Sequence, residues 1–143
     1  MKVMFDANAF DNAINCVHAI KEHLDTIDVF VTDIQIEEIA SIPDAKIEKR
    51  IAVFDCLCDL RPKLIPHVFT FDRINFNHFS FVTEPKYMEI LKKSGKNQND
   101  ALIAATAISE GCILVTDDKE MAKLTRDAGG EVISFKEFMD GLR

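Results

Sequence analysis

Five acidic residues are the side chains of this sequence best placed to do chemistry. Asp6 ends the opening run K-V-M-F-D, and Asp100 lies in N-D-A-L-I-A-A-T-A-I. Asp117 and Asp118 close L-V-T-D-D, and Glu38 (with Glu37 beside it) lies in F-V-T-D-I-Q-I-E-E-I. Carboxylates gathered in one place repel each other, so at least one should keep its proton above the ordinary range. A hard divalent cation removes that conflict. Magnesium binds through a few carboxylates and keeps several waters, and manganese accepts a similar oxygen shell. Such an ion orients and activates a water or stabilises charge on a phosphoryl group. With no separate base supplied, phosphodiester hydrolysis is the natural reaction class.

These acids meet only if the right elements carry them. Lys2–Phe5 is short and apolar and reads as a buried strand ending at Asp6. Phe10, Ala13, Ile14, Val17, Ile20 and Leu24 recur at three and four, which predicts one amphipathic helix. Val29–Val31 is a second strand, and Thr32 with Gln35 has the spacing of a capping box that opens a helix. Ile47, Ile51, Phe54, Leu57 and Leu60 predict a third helix running to about Pro62. The alanine-rich stretch Asn97–Ser109 reads as a helix closed by Gly111. Cys112–Thr116 and Val132–Phe135 read as strands, Lys119–Ala128 and Lys136–Leu142 as helices. Alternating strands and helices predict an α/β domain whose sheet is mostly parallel, with helices on both faces. In such a sheet the binding crevice lies at the carboxyl ends of the strands, where Asp6, Asp117 and Asp118 fall. Asn97 is placed to cap the alanine-rich helix, which puts Asp100 in its first turn, where the dipole favours a carboxylate. Helical spacing alone does not choose between Glu37 and Glu38.

Each acid also has a plain structural reading. Asp6 could begin a turn, Asp100 could be a favourable charge at a helix start, and Glu37 could be solvated. Asp117 could cap the next helix, with Glu120 completing a capping box. It is their joint placement at strand ends and helix starts that points to a site.

The 143 residues suit one domain, 1–143, and 48% apolar composition suffices for a core. With 17 basic and 24 acidic residues the formal charge is −7, which argues against a broad basic nucleic-acid surface. Lys92, Lys93 and Lys96, just ahead of the Asp100 helix, would allow a narrow phosphate contact or a solvated helix end. No run approaches the ~18 apolar residues of a membrane span, and no signal-peptide core is seen, so the expected location is the cytoplasm. Cys16, Cys56, Cys58 and Cys112 have no metal or redox spacing and are expected to be small buried hydrophobes. His18, His23, His67 and His78 are expected at the surface or in loops. From Val68 to Val82, Phe69 and Phe71, Ile74 and Phe76, and Phe79 and Phe81 are each spaced by two, the period of extended chain such as a hairpin; five of the eleven phenylalanines lie there. That stretch covers the core, or else offers a stacking or dimer surface.

At its acidic motifs the chain resembles the PIN-domain family of metal-dependent ribonucleases. V-M-F-D-A-N looks like the family's opening strand, with its first acid at Asp6 and a small polar residue at Asn8. The family's glutamate falls on Glu38 and its third acid on Asp100. L-V-T-D-D resembles the T-x-D segment, with Thr116 as a supporting hydroxyl and the fourth acid at Asp118. The resemblance implies a three-layer α/β/α sandwich around about five mostly parallel strands. It implies RNA cleavage with Mg2+ or Mn2+ bound by Asp6, Glu38, Asp100 and Asp118, supported by Asn8, Thr116 and the adjacent Asp117. It also implies a homodimer and, for VapC-like toxins, a small antitoxin partner. Two features depart from the family: an acid at position 117 and the phenylalanine-rich stretch. The alternative is a catalytically silent PIN-like module that binds RNA or protein. A phosphoryl-transfer domain is a third reading, but a receiver has paired acids after the first strand and a dehalogenase-like phosphatase has D-x-D, where this chain has D-A-N.

Overall fold

The computed structural model describes residues 1–67 and 98–143. Strand β1 (Lys2–Phe5) leads into helices α1 (Ala7–Ile14) and α2 (Val17–Lys21). Strand β2 (Asp28–Thr32) runs directly into α3 (Asp33–Ala40), and a 3-10 turn at Asp44–Lys46 precedes α4 (Ile47–Leu60). Strand β3 (Lys63–Ile65) follows. Beyond residue 97 come α5 (Gln98–Glu110), β4 (Ile113–Val115), α6 (Lys119–Asp127), β5 (Val132–Ile133) and α7 (Phe135–Gly141). The five strands form one sheet in the order β3-β2-β1-β4-β5, and every pairing is parallel.

The alternation of side chains along β1 divides the core into two layers. Val3 and Phe5 point to one face with Val29, Val31 and Val115, where they pack against α1, α2, α4 and α7. Met4, Phe30 and Leu114 point to the other face and meet Leu102 and Ile103 of α5 and Met121 of α6. This is the expected three-layer sandwich. The ring of Phe5 is gripped edge-on by Phe10 at 5.5 Å and by Phe138 at 5.2 Å, contacts worth about 0.5–1.5 kcal/mol each. That grip fixes the chain direction at the residue before Asp6.

Several elements differ from the sequence reading. The helix expected from Phe10 to Leu24 is two: the Cys16 amide reaches back only to the Ala13 carbonyl, tightening the turn, and Leu24 lies in the turn that follows. The phase of apolar residues survives the break, so periodicity did not reveal it. β3 has no counterpart in the sequence reading, since three residues at a sheet edge, two of them exposed, leave no pattern. The strand at Val132 is only two residues long, because Ser134 starts a capping box with Glu137. Cys56 and Cys112 are buried as expected, but Cys58 is exposed on the outer face of α4. His67 lies in a loop yet is buried, with Nδ1 2.8 Å from an Asp33 carboxylate oxygen. The capping box at Thr32 forms, and the alanine-rich helix ends at Gly111, whose φ of +66° explains the glycine. The Phe-rich stretch 68–82, the helix expected at 87–91, Lys92, Lys93, Lys96 and Asn97 lie outside the described residues. Among the described residues no helix is long and apolar enough to cross a membrane.

Candidate active site

The strand order reverses at β1, which pairs with β2 on one side and β4 on the other. The crevice of a parallel sheet opens at such a switch point. A cavity of about 300 Å³ lies there. Asp6, Glu38, Asp100 and Asp118 all line it, together with Asn8, Ala7, Asp11, Ile39, Ile42, Lys49 and Val53. Four elements therefore bring the four acids to one place from across the chain.

Asp6 is the most firmly held. It is the N-cap of α1, and its Oδ1 accepts the Ala9 amide at 2.6 Å. Its Oδ2 accepts the Thr116 hydroxyl at 2.5 Å. The same hydroxyl oxygen accepts the Asp118 amide at 3.0 Å. Thr116 thus joins the first acid to the backbone of the last, and the Asp6 amide, bonded to the Val115 carbonyl, closes the corner. Asp118 is the N-cap of α6, with Oδ1 accepting the amides of Glu120 and Met121. The sequence offered this capping role to Asp117 as one of two readings. Asp117 instead bridges two other elements, accepting the Asn12 amide group at 3.0 Å and the Phe135 amide at 3.1 Å. It does not line the cavity.

Glu38 reaches the cavity one turn beyond Gln35. Gln35 is fully buried and donates to the Phe5 carbonyl at 2.9 Å, while its oxygen accepts the Thr32 amide and hydroxyl. This ties α3 to the end of β1 and sets the direction of Glu38. Glu37 points to solvent. Asn99 donates to Glu38 at 3.4 Å, linking α3 to the first turn of α5. Asp100, the next residue, accepts no hydrogen bond among the described residues. Asn8 is exposed at the cavity and makes no hydrogen bond to Asp6. Sequence reasoning missed Asp11 and Lys49. Asp11 lies one turn after Asn8 on α1, a signal that was available; Lys49 comes to the cavity only through the packing of α4 on α1.

The electrostatics are those of crowded acids. Burial pushes the Asp6 carboxyl above its ordinary pKa, opposed by the Thr116 and Ala9 hydrogen bonds and reinforced by the charges of Asp118 and Asp117. Burial also pushes Asp100 up, and the charges of Asp118, Asp6 and Glu120 add to it. Among the described residues no three His, Cys, Asp or Glu side chains stand close enough together to hold a metal ion as they are placed. The donor set is nevertheless all carboxylate oxygen, which suits a hard cation that keeps most of its waters and takes one or two carboxylates directly. Asp100, and the Asp118 oxygen not used in capping, are available for that purpose.

Comparison with known proteins agrees with this architecture. The fold is similar to that of PAE2754 from Pyrobaculum aerophilum, with a TM-score of 0.64 and 17% identity over 99% of this chain and 98% of that one. It is also similar to VapBC2 from Rickettsia felis, solved bound to a DNA fragment from their promoter, with a TM-score of 0.60 and 20% identity over 94% of this chain and 98% of that one. No curated protein matches the sequence. The PIN domain family matches residues 3–127, a span that includes every acid of the cavity, and the chain belongs to the PIN domain family.

Proposed function

We propose that the protein is an endoribonuclease that hydrolyses RNA phosphodiester bonds with Mg2+ or Mn2+. PIN domains are in general nucleases, and membership of that family sets the reaction class. The observation that carries the reading is the convergence of Asp6, Glu38, Asp100 and Asp118 on one cavity. Like charge and burial there hold two of these carboxyls above their ordinary range. A fold gains nothing from such repulsion, whereas a cation-binding site requires it.

In this reading Asp100, Asp118 and Asp6 hold the metal directly or through its waters, and Glu38 completes the shell or orients the attacking water. The bound ion supplies Lewis acidity and charge neutralisation at the phosphate. Thr116 keeps the Asp6 carboxylate aimed and sets the start of the Asp118 turn. Asp117 supports from outside the cavity by fastening α1 and the start of α7 to the loop after β4. Asn8 offers a polar group at the cavity for the substrate. RNA is the substrate class. A homodimer, and a small antitoxin of the kind paired in the VapBC2 neighbour, are the proposed protein partners.

The test is cleavage of total RNA by purified protein with Mg2+ or Mn2+, with chelator, and with Asp6→Asn. Cleavage should need metal and vanish in the variant. If the Asp6 variant cuts as well as the wild type, the assignment is wrong. One observation favours the silent binding module: Asp6 and Asp118 cap helices and so have a structural reason to be present. Asp100 has no such duty, and a metal titration that leaves Asp100 unaffected would decide for that module.

A further inference from the structure

Among the described residues the lining of the cavity contains one basic side chain, which the four-acid site does not use. Lys49 stands in the first turn of α4, and its Nζ lies 3.0 Å from Asp11 Oδ2. Both side chains line the cavity, and they remain 46% and 37% exposed. Stability does not explain this placement. An ion pair so exposed contributes little, and the first turn of a helix disfavours a cation. Among the described residues the lining holds five carboxylates and this single ammonium. Among the described residues the main charges acting on Asp6 and Asp100 are carboxylates, and the Lys49 ammonium is not one of them. Its charge is held instead by Asp11, one helical turn beyond Asn8. A polyanion entering this cavity meets repulsion from every other charged group in it.

We propose that Lys49 grips a backbone phosphate of the RNA strand as it enters the cavity, exchanging its ion pair with Asp11 for one with the phosphate. The inference rests on the nuclease reading for the identity of the strand. Asp11 keeps the ammonium extended in the empty site and competes with substrate for it. Lys49 is therefore a binding residue, and Asp11 tunes its availability.

Opposite signs in two variants test this. The probe is a short unstructured RNA with Mn2+, with binding read by fluorescence anisotropy on an Asp100→Asn background and KM and kcat read on the otherwise wild-type chain. Lys49→Ala should weaken binding about 5–10-fold, lower the salt slope of log K by about 0.7–1, and raise KM with little change in kcat. Lys49→Arg should restore most of the affinity. Asp11→Asn should tighten binding about 2–5-fold, because the ammonium is no longer shared. A merely structural ion pair predicts the same direction for both single variants, and that result overturns the proposal, as does an unchanged KM in Lys49→Ala. Wild-type cleavage separates the two readings. Cleavage with no Lys49 effect sinks this inference alone, while Lys49-dependent binding without cleavage sinks only the nuclease. A wild type that neither binds nor cuts RNA sinks both.

Discussion

The β1–α1 corner and the first turn of α5 each deliver one acid to the cavity, Asp6 buried and Asp100 half-buried, but they hold it in opposite ways. At the corner, both oxygens of Asp6 are bonded, to an amide and to a hydroxyl. On α5, Asp100 has no donor among the described residues and three acidic neighbours acting against its charge. Asp6 therefore stabilises the apo fold through its bonds and strains it through its charge, whereas Asp100 has only the helix dipole to set against its repulsion. A residue whose cost to the fold is offset only by a helix dipole marks the functional purpose of the edge more clearly than one that also caps a helix.

Removal of either charge should have the largest effect on activity. Asp6→Asn and Asp100→Asn should each lower metal-dependent cleavage by at least about 100-fold, since even outer-shell partners of a metal site are worth 10–100-fold. Equal cleavage by Asp100→Asn would remove α5 from the site and leave the corner alone. Thr116→Val comes next: it strips the hydroxyl that joins Asp6 to Asp118. We expect a 10–100-fold loss of activity and about 1–3 kcal/mol of destabilisation from the buried oxygen left unpaired, read by urea unfolding. Thr116→Ser, which keeps the hydroxyl, should recover most of both. Saturating Mn2+ should stabilise the wild type by up to about 2.7 kcal/mol at 100 times its dissociation constant, and the Asp100 variant by much less. The smallest effect separates the two regions most sharply. In chelator at neutral pH, Asp100→Asn should raise the melting temperature by about 2–4 °C, whereas Asp6→Ala, which deletes the cap, should cost about 1–2 kcal/mol.

The sign of the pH dependence follows from the raised carboxyls. An acid whose folded pKa lies above its unfolded value contributes stability that is fully present below the unfolded pKa and is lost as pH rises through the folded one. In chelator, the gap between wild type and Asp100→Asn should therefore be absent in acid and open as the pH rises past the ordinary carboxylate range. Glu137 behaves in the opposite sense. Its bonds to the Ser134 amide and hydroxyl hold it below its ordinary value, so its contribution is present above the unfolded pKa and lost as pH falls through the folded one. Denaturant midpoints across pH, with and without Glu137→Gln, distinguish the two trends.

The parts of this architecture that were legible in the sequence are those set by local chemistry. Thr32 with Gln35 announced the start of α3, Gly111 the end of α5, and short apolar runs ending in acids announced β1 and β4. Tertiary placement was less legible. The apolar phase carried through the break at Cys16, so one helix was read where there are two. β3 is too short and too exposed to leave a pattern. Residues 117 and 118 are both aspartates after the same strand, and only the backbone path shows that the second caps α6 while the first fastens Asn12 and Phe135. For the candidate site, the four acids were named from motif and topology, but Lys49 carries no local signal because its position depends on how α4 lies against α1.

The bond between Thr116 and Asp6 spans 110 residues and has a consequence for synthesis. On the ribosome, β1 emerges first yet cannot find the strand that completes its far side until β4 has been made. A nascent chain stopped before Thr116 carries Asp6 with one oxygen unbonded, and carries neither the Asp118 turn nor the edge of β1 that β4 covers. The acidic edge is thus completed only once the chain has been translated through Asp118.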